Sequence, residues 1–496
     1  MMFARQPAGR SRFAAEVWPA LKQVLWIIAI FAVTEVAALA HLGAVARLAF
    51  MGGALMLALH YWRRSPWLYL TLVFWFWTVT PLARRLIDYS TAFDSKNIVL
   101  VTPSMVSFLI ILTLSKSRRL GTQPEAIGAN CVIVAVLYGL AVSFLNGQIF
   151  AGAVGAMDWL APVLYFFYIL ENTDRIGEAE PALRNFLIFN GIFITGYGLI
   201  QVWQPLAWDT AWGIASGMVT SDEVRDLSGF RPFSTLNENG VLAFWLGTLV
   251  ILSLHFRNIL SLMVIPAEAL LLLMTNVRSV LASALFSIMV ASLIGGPRVS
   301  RGMLTIGAGA LVVAVSFGSL NPALVDRLAE RYGSINHLQD DDSALTRAVI
   351  WRQTPQLIDD HPWGLGIGAL GRGASLNNNA DLVSVDFGAL ATYLSLGWVF
   401  GTVYLGGLFM TIGLAIWKAQ RGKSPAAVAC AAAALGMVLL MFVVNIVGLS
   451  GAIMWVFAGF AVAFSKVPVS NGALAMAPSE RLARKRSMLT PSGSRG

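Results

Sequence analysis

The sequence predicts an all-α polytopic membrane protein with about fourteen spans, on two observations. Of 496 residues, 57% are hydrophobic and only 12% charged. A soluble domain carries roughly a quarter charged residues, and so long a chain cannot hide this much apolar surface in one water-facing core. Secondly, apolar runs of about 17–25 residues repeat along the chain, each long enough to cross a bilayer as a helix.

Taken in order, spans are expected near 22–41, 46–60, 66–82, 98–114, 129–145, 149–171, 185–204, 240–256, 259–275, 279–295, 303–320, 388–417, 425–447 and 449–465. The first follows a basic segment, is too long for a signal h-region and lacks a clear cleavage site, so it reads as an uncleaved span. The second and third are short enough to be a re-entrant pair. Residues 388–417 suit a tilted span with an extension. The expected organisation is a cytoplasmic N-terminus (1–21), transmembrane helices over 22–320 with a periplasmic loop at 205–238, a long helical periplasmic loop at 321–386 before the antepenultimate span, C-terminal spans over 387–465, and a basic disordered cytoplasmic tail at 466–496.

The net charge of +9 would suit nucleic acid, but its placement argues against that partner. With the N-terminus inside, roughly two thirds of the 35 Lys and Arg fall in inside links such as "YWRRS", "SKSRR" and "KAQRGKS" and in the tail, as orientation requires. Both termini come out cytoplasmic. The only cysteines, Cys131 and Cys430, lie in apolar runs and read as packing residues. The sequence shows no Walker loop, C-x-x-C, H-E-x-x-H or clear metal-ligand cluster, so no cofactor or metal is expected.

The basic residues left outside are all arginines except Lys96, against the orientation bias. Arginine presents a planar fork of donors that matches phosphate oxygens. Arg231 precedes the eighth span, Arg278 lies in a tight link, and Arg347 and Arg352 lie in "SALTRAVIWRQTPQLIDDHPWGLGIGALGRG" (343–373); these four share the outer face and are candidates to converge on one anionic headgroup. Arg84 and Arg85 read as solvated or interfacial anchors, and Arg327 and Arg331 as the wet face of an amphipathic helix. In the long stretch Ser343 suits a helix N-cap, and Leu345, Val349, Ile350, Leu357 and Ile358 mark a face that Pro355 interrupts. Gly364, Gly366 and Gly368 allow either a flexible loop or close backbone approach to a ligand, with successive amides forming an anion nest. His361 is a general base or a turn-capping histidine; Asp386, at the end of the loop, is a base or a helix N-cap. His337, Asp359, Asp360 and Asp381 are further acid–base groups on that face. Trp203, Trp212, Trp351 and Trp363 suit stacking on sugar faces or an interfacial belt. Glu35, Asp158 and Glu268 are the charges inside spans, where charge is costly, and they support a transporter reading.

"RPFSTLNENGVLAFWL", "TNVRSVLASALFS", "TRAVIWRQTPQLIDDHPWGLGIGALG" and "VDFGALATYLSLGWVFG" occur in that order over about 185–417. Together they resemble the O-antigen ligase and O-antigen polymerase superfamily. The most specific piece is Arg347, Trp351, His361, Pro362, Gly364, Gly366 and Gly368. The resemblance implies metal-independent, inverting glycosyl transfer at the outer face of the bacterial inner membrane, from undecaprenyl-diphosphate-linked oligosaccharide. It further implies that Arg231, Arg278 and Arg347 hold the diphosphate. Family ligases carry a His-Asn pair where this chain has Asp386 and Phe387, which is closer to the polymerase type. The expected activity is therefore a polymerase joining lipid-linked repeat units of an exopolysaccharide, capsule or O-antigen. Asp386 would be the base, with His361 as alternative, and Trp351, Arg352 and the loop glycines would line the glycan. Expected partners are the lipid-linked donor and acceptor, the bilayer, and a chain-length regulator and flippase of the same pathway. The alternatives are a ligase passing glycan to a lipid or protein, a lipid-linked sugar transporter or flippase, and a non-catalytic scaffold.

Overall fold

The computed structural model describes residues 12–94, 97–117, 122–216, 231–256, 259–319, 351–352, 355–371 and 387–467. Among these residues there is no strand: the chain is a bundle of helices and short links. Among the described residues nine helices are long and apolar enough to cross a membrane, and Ile98–Leu114, Asn239–Ser253, Leu260–Thr275 and Gly448–Phe464 are shorter apolar stretches beside them. The protein is a multi-pass membrane protein.

Helices α1 (Arg12–Leu39), α2 (Gly43–Trp62) and α3 (Pro66–Ser90) pack as an antiparallel trio. Both α2 and α3 are longer than the sequence pattern suggests and long enough to cross a membrane; the breaks that shorten α3 in the hydropathy pattern, Arg84 and Arg85, are buried inside it. Ser65 caps α3 by accepting from the Leu68 amide, and Pro66 fits the first turn because no partner is needed there. The stretch Ile98–Leu114 is broken, with α4 (Thr102–Ser107) and α5 (Ile111–Leu114) joined through 3-10 turns. Next come α6 (Ile127–Leu145), α7 (Ile149–Glu171), α8 (Ala179–Trp203), the short α9 (Ala207–Ala215), α10 (Asn239–Ser253), α11 (Ile259–Thr275) and α12 (Arg278–Ser319), which is kinked at Gly296. The last three are α13 (Gly388–Gly422), α14 (Pro425–Leu439) and α15 (Gly448–Phe464).

Two late spans differ from the expected ones. Residues 388–417 do not form one continuous span: α13 folds sharply at Gly397, whose φ of 71° and ψ of 179° are a glycine conformation. The fold brings Tyr393 against Trp398, ring centres 5.0 Å apart. The expected span 425–447 is helical only to Leu439, with a 3-10 turn at Leu440–Phe442 and an irregular link up to Val447.

Among the described residues, the lower end of the bundle holds the links at 62–66, 112–117, 122–126 and 171–178. The upper end holds 91–94, 97, 146–148, 204–216, 231–238, 276–277, 355–371 and 387–388. At the lower end Trp67 of α3 touches Phe460 of α15. Higher up, Trp77 flanks Gly448, where α15 begins. From Trp77, α3 continues to Ser90, roughly 20 Å further at helical rise. α10, α14 and α15 have 15, 15 and 17 residues, or about 22–26 Å, less than the ~30 Å hydrocarbon core. The upper end is therefore stepped, with short helices stopping below tall ones.

Candidate functional site

The glycine loop lies in the upper part of this step. Pro355 opens a helical turn to Asp360, whose Ile358 is fully buried against Leu370, Ala391 and Leu394. The chain then threads between the upper ends of α6 and α7 and the fold of α13. The four amides at its centre are all used by protein: Leu365 N donates to Leu394 O (2.9 Å), Gly366 N to Ser395 O (2.9 Å), Ile367 N to Gly139 O (3.2 Å) and Gly368 N to Ser143 Oγ (2.9 Å). Trp398 N donates to Pro362 O, closing the clamp from the other side. An anion nest at these amides is thus ruled out by geometry; the close approach that the glycines permit is to neighbouring backbone. Gly366 has φ 90°, and a Cβ there would sit 2.6 Å from Ser143 N. Gly366→Ala is expected to cost about 1–3 kcal/mol through overpacking, read as a lower thermal midpoint of the purified protein.

Around the clamp, His361 is exposed and Trp363 is 68% exposed. Asp359 accepts from Trp398 Nε1 (3.2 Å). Trp351 and Arg352 are also exposed, and Trp351 lies over Phe387, ring centres 4.8 Å apart. Phe387 in turn contacts Phe442, 6.5 Å away, at the irregular end of α14. Arg347, Asp386, Ser343, Asp381, His337, Arg327 and Arg331 lie outside the described residues.

Arg278 starts α12 after the tight Asn276–Val277 link, where Asn276 has φ 58°. Its level follows from register. Ser283 Oγ donates to Gly436 O (2.6 Å), which locks antiparallel α12 and α14 together. Arg278 lies five residues above Ser283 and Phe442 six above Gly436, rises of roughly 8–10 Å. Arg278 is therefore level with Phe442, at the height where Phe387 meets Phe442.

Arg231 is half-buried at the head of a loop that descends between helices. Ser234 Oγ donates to Ile194 O (2.6 Å) and Thr235 Oγ1 to Thr78 O (2.7 Å), both well below the tops of α8 and α3. What holds this loop is Arg85, which the sequence suggested to be a solvated or interfacial anchor. Its side chain is fully buried. Nη1 donates to Asp209 Oδ1 and Nη2 to Ser234 O, both at 2.7 Å. Gln201 completes the hub: Nε2 donates to Asp209 Oδ2 (2.8 Å), and Oε1 accepts from Phe233 N (3.0 Å) and Ser234 N (2.8 Å). The guanidinium also faces the Phe233 ring at 4.8 Å. Burial pushes the Asp209 carboxyl up, while Arg85, Gln201 and Tyr197 pull it down. Arg84 is likewise buried, paired with Asp88 (3.2 Å) and donating to Asp94 O (2.8 Å). Such pairing cannot be read from spacing, because Asp209 lies far along the chain in a segment that looks like loop.

Two of the three span charges, Glu35 and Asp158, have local partners. Glu35 accepts from Ser90 (3.3 Å), and Asp158 from Ser104 (3.1 Å) in the broken 98–114 stretch. Glu268 is buried against Gly191, and its Oε2 has no partner among the described residues. Among these residues no group of three or more His, Cys, Asp or Glu could hold a metal. Of the tryptophans, Trp212 is buried and Trp203 is 85% exposed.

The stretch that carries the folded α13, the glycine loop and Arg278 is also the stretch that comparison recognises. Residues 261–399 match the O-antigen ligase family. The match supports the superfamily that the motifs resemble. The matched region runs from α11 to just past Gly397, so it includes Arg278, Arg347, Trp351, Arg352, His361, the three loop glycines and Asp386; Arg231, Arg85 and Asp209 lie outside it. No curated protein matches the chain. An O-antigen ligase or polymerase type of function is supported at that general level.

Proposed function

We propose that the protein is a polymerase joining undecaprenyl-diphosphate-linked oligosaccharide repeat units, working at the upper, periplasmic end of the bundle in the bacterial inner membrane. The observation that carries the reading is the register that sets Arg278 level with Phe442, beside Phe387, the neighbour in sequence of Asp386. In this reading Arg278 and Asp386 serve one site, over helices that stop short and leave room for a polyprenyl tail.

The chemistry needs few groups. An acceptor hydroxyl attacks the anomeric carbon of the donor sugar. Its O–H proton passes to Asp386, or to His361. The bond from that carbon to the diphosphate oxygen breaks, with inversion, and undecaprenyl diphosphate leaves. Arg278, Arg231 and Arg347 stabilise the charge that grows on the leaving oxygen, the step at which electrostatic stabilisation is worth most. Orientation of the acceptor falls to the loop residues Trp351 and Arg352. The glycines Gly364, Gly366 and Gly368 contribute by holding the loop down.

The acid at 386, in place of the ligase pair, favours polymerase over ligase. Deletion tests this directly. The expected result is loss of polymer while single repeat units accumulate on the lipid carrier, seen by gel and by mass spectrometry of extracted lipids. Finished polymer stranded on its carrier would instead mark a ligase.

A further inference from the structure

Three links far apart in sequence meet at the lower end of the bundle: the α2–α3 turn at 62–66, the end of the broken stretch at 112–117, and the end of α7 at 168–175. Together they line a cavity of about 420 Å³. It lies far from the proposed glycan site: along α7, Glu171 is sixteen residues below Gly155, which touches the glycine loop, or roughly 24 Å. The cavity is within the usual size range for small-ligand sites, about 300–1,000 Å³.

Four cations line it, Arg63, Arg64, Lys116 and Arg175, against two acids, Glu171 and Asp174. Of the two acids, Asp174 acts on Arg175 and is paired with none of the other three cations among the described residues. Glu171 accepts from Ser117 (2.7 Å), and Arg175 is turned away to Glu178, at 2.8 and 3.2 Å. Arg63, Arg64 and Lys116 form no ion pair among the described residues. The hollow is also built rather than incidental. Trp62 Nε1 donates to Thr113 Oγ1 (2.8 Å), tying two of the three links, and Lys116 rides over the Trp62 ring at 5.8 Å. A neighbouring cavity gives the contrast. It is lined by Glu125, Glu171, Asp174 and Lys466, and its lysine is paired with Glu125 at 3.5 Å.

We propose that this cleft binds the phosphate of an anionic lipid headgroup. Setting orientation requires only that the links be basic. It does not require unpaired cations from separate links to face one hollow. A lipid is favoured over a soluble phosphate because Leu112, Pro66 and the ring of Tyr168 supply apolar lining at the level where the helices end. The site does not depend on the glycan-transfer reading.

The test uses the full-length protein purified in neutral detergent, offered phosphatidylglycerol, phosphatidylcholine or inorganic phosphate, with bound species counted by native mass spectrometry. Phosphatidylglycerol should be retained over phosphatidylcholine on the order of tenfold, and Arg64→Ala/Lys116→Ala should lose most of that preference. Circular dichroism reports whether the variant folds; if it does not, Lys116→Gln alone should still weaken retention severalfold. Glycan transfer by the variants should match wild type. Equal retention by folded variant and wild type would overturn the site. Binding of inorganic phosphate without any lipid preference would overturn the lipid assignment.

Discussion

Arg278→Ala should leave a folded protein in the membrane and cut glycan transfer by about 10²–10³-fold, the usual loss when one stabilising donor is removed from a developing anion. The expectation rests on position. Arg278 begins a helix whose next turns are locked to α14 through Ser283 and Gly436, and trimming its head group leaves that lock in place. Arg278→Lys should recover only part of the rate, because an ammonium offers a point charge where the guanidinium offers a fork. The control is Asp158→Asn. Asp158 accepts from Ser104, and an amide oxygen can still accept there, so polymer should persist. A transporter reading reverses both outcomes, since it places function on the mid-membrane carboxylate in a broken helix. The measurement is transfer by purified protein with a defined lipid-linked oligosaccharide, run beside a polysaccharide gel from cells carrying each variant. Full activity in Arg278→Ala together with loss in Asp158→Asn would remove the diphosphate-clamp proposal.

Much of the bundle was legible because lipid is an undemanding solvent to read: a helix that crosses it must be long and apolar, and that pattern is local. What the pattern hides is depth. Gly397 sits in an unbroken apolar run, yet its backbone folds the helix, because the carbonyl of Pro362 and the amide of Gly364 crowd the place where a side chain would be. α14 stops at Leu439 although Leu440, Met441 and Val443 are as apolar as what precedes them; the link from there to Gly448 gains its shape from tertiary contacts, such as Val444 O lying against Gly388. The glycine motif was visible and its partner was not: without coordinates nothing says that Ser143 and Gly139, over two hundred residues away, take its amides. The same holds for Arg85. Two adjacent arginines near the top of a span have the look of interfacial anchors, and only the fold brings Asp209, Gln201 and Ser234 to meet one of them.

That hub yields the second large expectation. Arg85→Ala leaves the Asp209 carboxylate buried without its cation and removes a donor from Ser234 O, a change that typically costs about 3–5 kcal/mol. Thermal stability should fall sharply, and transfer with it. Loss of both alone would say only that the pair is structural, so a second variant decides. An apolar pair of similar size, Arg85→Met/Asp209→Leu, can restore stability, because packing replaces two charges that were expensive to bury. It cannot restore the bond from Arg85 to Ser234 O, nor the bond from Gln201 to Asp209 that steadies Gln201 against the amides of Phe233 and Ser234. Those bonds fix the loop that leads from Arg231 into α10. Much of the lost stability should therefore return in the double variant while kcat stays depressed, with KM for the lipid-linked donor raised as the arginine loses its place. If transfer recovers in step with the thermal midpoint, the buried pair only holds the fold, and Arg231 reaches its position without it.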